Sequence, residues 1–313
     1  MNRRPTYNQV EKSAQQWNRQ DEVLTGYEKY YTTRGFTGDR LIAREKKVLG
    51  FLDSLSLPLG AIILELGYGP GNTTYQLVQR GFSVYGVDIS DYFCQLATRR
   101  CQQVPGAKVK LEVGDAENLK YQDNFFDCVI GIGFLQYIKD PLRCLQEAQR
   151  VLKPGGNLII AQHNDFSLAS WDNPYHFTKL LINWSTGRKH LFRYRDTFLL
   201  DLALGASKFL GTKKLITKFE RHKEIGLVKK NVMSYKILSS LLEQANYTIL
   251  KTAGAGFRSK FWYTFFPDAL HGYLQRKSDF RDKPYPFANG FVFVVKKEDK
   301  KKLRLKYNSN EPN

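Results

Sequence analysis

Residues 61–74, Ala61-Ile62-Ile63-Leu64-Glu65-Leu66-Gly67-Tyr68-Gly69-Pro70-Gly71-Asn72-Thr73-Thr74, constrain the fold more than any other stretch. The first six are mostly apolar and hold no turn residue. That is the pattern of a short strand buried on both faces of a parallel sheet. Gly67, Gly69 and Gly71 then alternate. Glycine lets the chain bend sharply and lets a ligand approach without meeting a Cβ. From Thr73 onward the residues suit a helix. A strand, a glycine bend and a helix N-terminus form a cofactor pocket at the carboxyl edge of an α/β sheet. The bland alternative is a tight strand-to-helix turn that holds nothing.

A dinucleotide fingerprint needs glycines at its first, third and sixth places. Asn72 holds the sixth place here, and the last glycine comes one residue early, which counts against NAD. A second strand, Ser83 to Asp88, ends on a carboxylate one supersecondary unit after the bend. Such a group accepts hydrogen bonds from the two hydroxyls of a ribose. Ser90 is the better cap for the helix that follows, Tyr92 to Arg100. A third strand, Val109 to Val113, leads into Gly114-Asp115-Ala116-Glu117-Asn118-Leu119. A fourth spans the segment from Asn124 to Gly131. A helix from Pro141 to Leu152, capped by Asp140, closes at Lys153-Pro154-Gly155-Gly156, and Asn157 to Gln162 is a fifth strand.

Glu65 to Gly71 resembles motif I of class I methyltransferases, E/D-x-G-x-G-x-G. Gly114 to Leu119 resembles the GDAxxL segment of S-adenosylmethionine enzymes. In that segment the aspartate accepts from the adenine amino group and the next backbone amide meets the ring. The order FDCVIGIGFLQYI, Asp140-Pro141, RVLKPGGNLII closely resembles the ubiquinone/menaquinone-type methyltransferase superfamily. Leu241 to Leu250 is similar to the stretch that closes that core. The resemblance implies a doubly wound, Rossmann-like α/β sheet of seven strands, mostly parallel with the last antiparallel. It implies S-adenosylmethionine as cofactor, held by Glu65, Gly67, Gly69, Gly71, Asn72, Asp88, Ile89, Asp115, Ala116 and Gly131. It implies an N-terminal helical segment folded over the cofactor, where Tyr27, Tyr30 and Tyr31 could wall the site. Asn173-Pro174-Tyr175 imitates a motif of amide methyltransferases but comes after the wrong strand, which argues against methylation of a base or a glutamine.

The expected organisation is a helical cover over 1–60, with Asp39 capping a helix to Leu55, and a cofactor core over 61–162. A lid insertion over 163–231 follows, then the end of the core over 232–296. That last part carries a helix from Met233 to Ala245, a strand from Tyr247 to Lys251, a second, aromatic insertion over 255–286 and a strand from Phe291 to Val295. A basic tail runs from 297 to 313. No metal is expected, because Cys94, Cys101, Cys128 and Cys144 form no CxxC pair or metal spacing. They suit free thiols of a reducing compartment, and with no membrane-length apolar run the expectation is cytoplasmic.

The net charge of +18 over 313 residues draws acidic partners or only solvates the surface. Lys208 to Lys230 is a basic stretch with interleaved apolar residues, suited to a lid or to an anionic membrane surface. The expected acceptor is a small molecule or a lipid-like compound, methylated on oxygen or nitrogen by direct displacement. RNA methylation and cofactor binding without catalysis are the alternatives. In-line positioning can supply roughly 7–11 kcal/mol of such a barrier. For an oxygen nucleophile His163, just past the fifth strand, is the candidate base, with His176 second.

Overall fold

Helix α1 (Phe36–Asp53) precedes β1 (Ile62–Leu66), α2 (Asn72–Gln79), β2 (Ser83–Asp88), α3 (Asp91–Cys101) and β3 (Val109–Val113). Then come β4 (Phe126–Ile132), a 3-10 turn (Leu135–Tyr137), α4 (Pro141–Val151), β5 (Leu152–His163), α5 (Tyr235–Gln244), β6 (Tyr247–Ala255) and β7 (Gly290–Lys297). The computed structural model describes residues 36–164, 231, 233–255, 273, 288 and 290–298. The strands form one sheet in the order β3-β2-β1-β4-β5-β7-β6. β1 to β5 run parallel, and β7 lies antiparallel between β5 and β6. Strand order reverses between β1 and β4, the place where open α/β sheets leave a crevice for ligands.

Alternation along each strand sends side chains to two cores. Leu64, Leu66, Val129, Leu158, Ile160, Phe291 and Phe293 pack with α4 and α5 through Leu145, Ala148, Leu238 and Leu242. Ile63, Ile130, Ile159, Ala161, Val292 and Val294 pack on the other face with α1 and α2 through Val48, Leu49, Leu77 and Val78. Both faces of the sheet are covered, which is why β1 reads as a nearly continuous apolar run.

The amino edge is tied by side chains. Asp127 accepts from the Ile62 amide at 2.8 Å and from Lys153 Nζ at 2.6 Å. Arg150 donates to the Leu119 and Tyr121 carbonyls and to Glu147, which binds the loop after β3 to α4. Lys297, nearly buried, donates to Leu152 O at 2.6 Å and to Asn124 Oδ1 at 2.8 Å.

Several boundaries differ from expectation: β6 runs on to Ala255, into the start of the expected second insertion, β7 includes Lys297 of the expected tail, and two further cases change how the residues read. α1 starts at Phe36, so Asp39 lies inside the helix and is not its cap. A single glycine, here Gly38, costs a helix about 1 kcal/mol and does not end it. β5 begins at Leu152, ahead of the Pro-Gly-Gly turn, because Leu152 pairs with Phe126 before the register shifts and resumes at Cys128 and Asn157. The N-caps Ser90 and Asp140 accept from the Phe93 and Arg143 amides as their side-chain chemistry suggests.

Candidate functional site

The glycine bend leaves β1 at the carboxyl edge. Gly67 N donates to Val87 O at 2.8 Å, and Gly71 N to Tyr68 O at 3.0 Å. Gly67, Gly69 and Gly71 have φ of 66°, 51° and 78°, in the left-handed region. Their surroundings differ. A Cβ on Gly67 would stand 2.6 Å from Phe134 Cβ, and one on Gly71 would stand 2.5 Å from Ala97 Cβ. Those two glycines therefore serve packing. A Cβ on Gly69 would meet nothing within 4 Å, so open space begins there. Asn72 opens α2, and Arg100 of α3 donates to its Oδ1 and to Pro70 O, which holds the bend against α3.

Asp88 ends β2 half-buried. Its Oδ2 accepts from Gly69 N at 2.9 Å and its Oδ1 from Ser90 N at 2.9 Å. Burial raises its pKa, while the amides of Ser90, Gly69 and Ile89 oppose the shift. A carboxylate has about four lone-pair sites, so three amides leave room for a further donor. The Gly114 amide donates to Asp88 O at 2.8 Å. That bond sets Asp115 at the neighbouring strand end, on the same edge as Asp88. Asp115 Oδ1 accepts from Glu117 N at 2.9 Å, which fixes the turn, and Ala116 is buried beside it. Glu65 points to the α1/α2 side and accepts from Thr74 Oγ1 at 2.6 Å. Burial pushes its pKa up to about 8, the Thr74 hydroxyl opposes this, and Glu45 and Asp88 add to it.

Beyond β4 and β5 the edge has another character. A Cβ on Gly131 would stand 2.3 Å from the Phe134 ring, so this glycine too makes room for a side chain. Gly133 N donates to Ala161 O at 2.7 Å and draws the following turn onto β5. His163 is half-buried at the end of β5, in register with Gly290, and by alternation shares the α1 face with Ala161. Across that pair runs Arg44 of α1, buried at 7% exposure. Its Cδ lies 2.9 Å from where a Gly290 Cβ would be, and its Nη1 lies 3.3 Å from the Gly133 position. Sequence reasoning missed Arg44, which reads as one more polar residue on a helix. It also missed Gln162, which reads as the last residue of an apolar strand.

Tyr27, Tyr30, Tyr31, His176, the basic stretch 208–230 and most of both insertions lie outside the described residues. Among the described residues no group of His, Cys, Asp and Glu could hold a metal, and no helix is long and apolar enough to cross a membrane. The cysteines are free, with Cys101, Cys128 and Cys144 buried.

Residues 64–160 match the Methyltransferase domain family. The chain is 30% identical over 146 residues to an uncharacterized methyltransferase, YdaC, of Bacillus subtilis, covering 45% of this chain and 79% of that protein. It is 32% identical over 108 residues to the demethylmenaquinone methyltransferase of Tropheryma whipplei, covering 34% of this chain and 44% of that enzyme. The chain spans from about a third to three fifths of the length of the first curated relatives it matches. In fold it is similar to the magnesium protoporphyrin IX methyltransferase of Synechocystis, with TM-score 0.54 at 12% identity, covering 91% of this chain and 98% of that one.

Proposed function

The chain belongs to the class I S-adenosylmethionine-dependent methyltransferases of the ubiquinone/menaquinone type, and from that premise we propose that it methylates a small-molecule or lipid-like acceptor by direct displacement. The observation that carries the reading is the joint placement of Gly69, Asp88 and Asp115 on adjoining strand ends, with open space beyond Gly69. The groups at this edge suit the cofactor chemically. An adenosyl group offers hydroxyl and amino donors. Asp88 and Asp115 offer carboxylate acceptors, and the β3 end offers buried, apolar Ala116.

In this reading Asp88 binds the ribose hydroxyls, and Asp115 with the Ala116 amide binds the adenine. Gly69 lets the chain pass close, and Ile89 and the bend from Gly67 to Asn72 form the wall. Glu65 and Gly131 act behind that wall, one through Thr74 and the other by seating Phe134. Bound S-adenosylmethionine supplies a methyl carbon made electrophilic by a sulfonium. His163 takes the proton of an oxygen acceptor at the end of β5.

Support for the acceptor class comes from the relative named for demethylmenaquinone. The test has two steps. S-adenosylhomocysteine is titrated into the protein by calorimetry, with micromolar binding expected. Labelled methyl is then followed from S-adenosylmethionine into lipid, small-molecule and RNA fractions. Label confined to RNA, or no cofactor binding, overturns the reading.

A further inference from the structure

The sheet ends on β3 at one side and β6 at the other, and no strand among the described residues pairs with the outer side of either. An open edge is a row of unpaired amides and carbonyls that takes up another strand. β6 is blunted. Ile249 and Lys251 face the consecutive residues Val295 and Val294, so Leu250 is an extra residue, as at a bulge, and bends the edge. β3 is regular. Val109-Lys110-Leu111-Glu112-Val113 holds no proline or glycine and pairs with β2 without a slip.

Two bonds show which backbone groups of β3 look outward. Val84 N donates to Lys108 O at 2.8 Å, and Gly114 N donates to Asp88 O at 2.8 Å. The even-numbered residues therefore face β2, and Val109, Leu111 and Val113 turn N–H and C=O to the open side. Among the described residues these groups receive a long contact of 3.6 Å from Cys94 Sγ to Leu111 O, which leaves that oxygen its second lone pair. Lys110 and Glu112 share one face of the strand, 2.6 Å apart. Lys110 Nζ lies 5.9 Å from the Tyr85 ring centroid, and Tyr121 donates to Glu112 at 3.4 Å. Val113 is 48% exposed, a large apolar residue at the end of an edge strand. A lysine on an edge ordinarily keeps a second strand away. Here a carboxylate stands two residues on, so the strand carries its own complement.

We propose that β3 is the docking edge for β3 of a second copy of this chain, antiparallel and centred on Leu111. In that register Leu111 faces its own counterpart, Val109 faces Val113 of the second copy, and Lys110 faces Glu112. Residues 109, 111 and 113 form the hydrogen-bonded pairs, with up to about six bonds. Lys110 and Glu112 fall at the non-bonded pairs, where Cα atoms stand about 4.5 Å apart and side chains come closest. Each ammonium then lies between two carboxylates. The other two-fold registers fail by charge. Centring on Lys110 sets lysine against lysine, and centring on Glu112 sets glutamate against glutamate. Centring on Val109 sets Lys110 against Lys108, and centring on Val113 leaves Lys110 opposite Ala116, past the strand's end. The pairing is independent of the methyl-transfer reading. A strand of five residues makes a small contact, so the dimer is weak, with a Kd on the order of tens of micromolar.

The experiment is sedimentation velocity of the full chain over a concentration series that brackets that value. Salt is held at about 0.15 M, where repulsion between two chains of charge +18 is screened beyond about 8 Å. Lys110→Glu should weaken the dimer by about tenfold or more, and so should Glu112→Lys, because each sets like charges opposite one another twice. The two changes combined should restore it to within about threefold of the parent. Val113→Pro removes an outward donor from an edge strand, where proline is tolerated. It should abolish the dimer and keep the melting temperature within about 3 °C. A parent that stays monomeric overturns the proposal, since Lys110 then only guards the edge. So does a dimer that survives Val113→Pro or either charge reversal, or one that the combined variant fails to restore. If Val113→Pro does not fold, the charge exchange decides alone.

Discussion

The two halves of the sheet's carboxyl edge treat polar groups in opposite ways. On the β1-β2-β3 side every carboxylate of the site has an internal donor. Glu65 has Thr74, Asp88 has Gly69 and Ser90, and Asp115 has Glu117. On the β4-β5 side two amide oxygens and an amide nitrogen have none. A site that is bonded before its ligand arrives is preorganised, and its ligand spends little on ordering it. A site that leaves amides unpaired is less stable empty, and gains more from the right partner than from a near miss. The first half suits a cofactor met by groups already in place, and the second carries buried amides that the fold leaves unbonded.

The strongest way to break this contrast is at Asp88. Asp88→Ala removes the acceptor proposed for the ribose and releases Gly69 N. S-adenosylhomocysteine affinity should fall by about 100-fold, roughly 3 kcal/mol, with calorimetry as the measurement. Asp115→Ala should cost less, about tenfold. If the Asp88 variant binds within threefold of the parent, the cofactor half has been misplaced.

The glycines sharpen the same contrast. Gly71→Ala forces a Cβ to 2.5 Å from Ala97 at a φ of 78°, so the fold should lose about 3 kcal/mol in denaturant unfolding. Gly69→Ala meets no atom, so only backbone strain of about 1 kcal/mol is expected in stability. Its cost should appear in cofactor affinity instead. Equal destabilisation by the two would erase the distinction between packing glycine and ligand glycine.

That distinction also marks the limit of what the chain reveals before it folds. The succession of strands and helices along the core, the caps at Ser90 and Asp140 and the neighbouring places of Asp88 and Asp115 depend on local pattern and on spacing within single βαβ units. They were legible. The close packing of Gly67, Gly71 and Gly131 on Phe134 and Ala97 was not, because those partners are brought close only by folding. Arg44 meets positions 133 and 290, so no window of sequence holds the contact. The lack of a partner at Gln162 is a property of its surroundings and leaves no mark on the residue. Asp39 misled because a good capping residue lay one turn inside a helix that had already begun.

Glu65 adds a pH test of the bonded half. Its carboxyl ionises near pH 8 in the fold and near its ordinary 4.5 when unfolded. Between those values the folded chain holds a proton that the unfolded chain has released. Stability should therefore fall as pH rises from about 4.5 to about 8, and level off above. Glu65→Gln keeps an acceptor for Thr74 and removes the titration. It should raise stability at pH 8.5 by up to roughly 4–5 kcal/mol and leave pH 4.5 nearly unchanged. A pH profile parallel to the parent's would mean that Glu65 is not the group.

The smallest effect expected concerns Arg100. Its guanidinium bonds Pro70 O and Asn72 Oδ1 but touches neither Asp88 nor Asp115 in any bond described above. If the cofactor half is preorganised by its own carboxylates and amides, the arginine only limits how far the bend can swing. Arg100→Ala should then weaken S-adenosylhomocysteine binding by about fivefold, near 1 kcal/mol, mainly through faster release. Arg100→Lys should restore part of it, since one donor can still reach Pro70 O. Acceptor binding should not move, because the β4-β5 end lies across the reversal from this clamp. A variant that lost both ligands equally would show one coupled edge in place of two halves, and the contrast drawn from the unpaired amides would no longer hold.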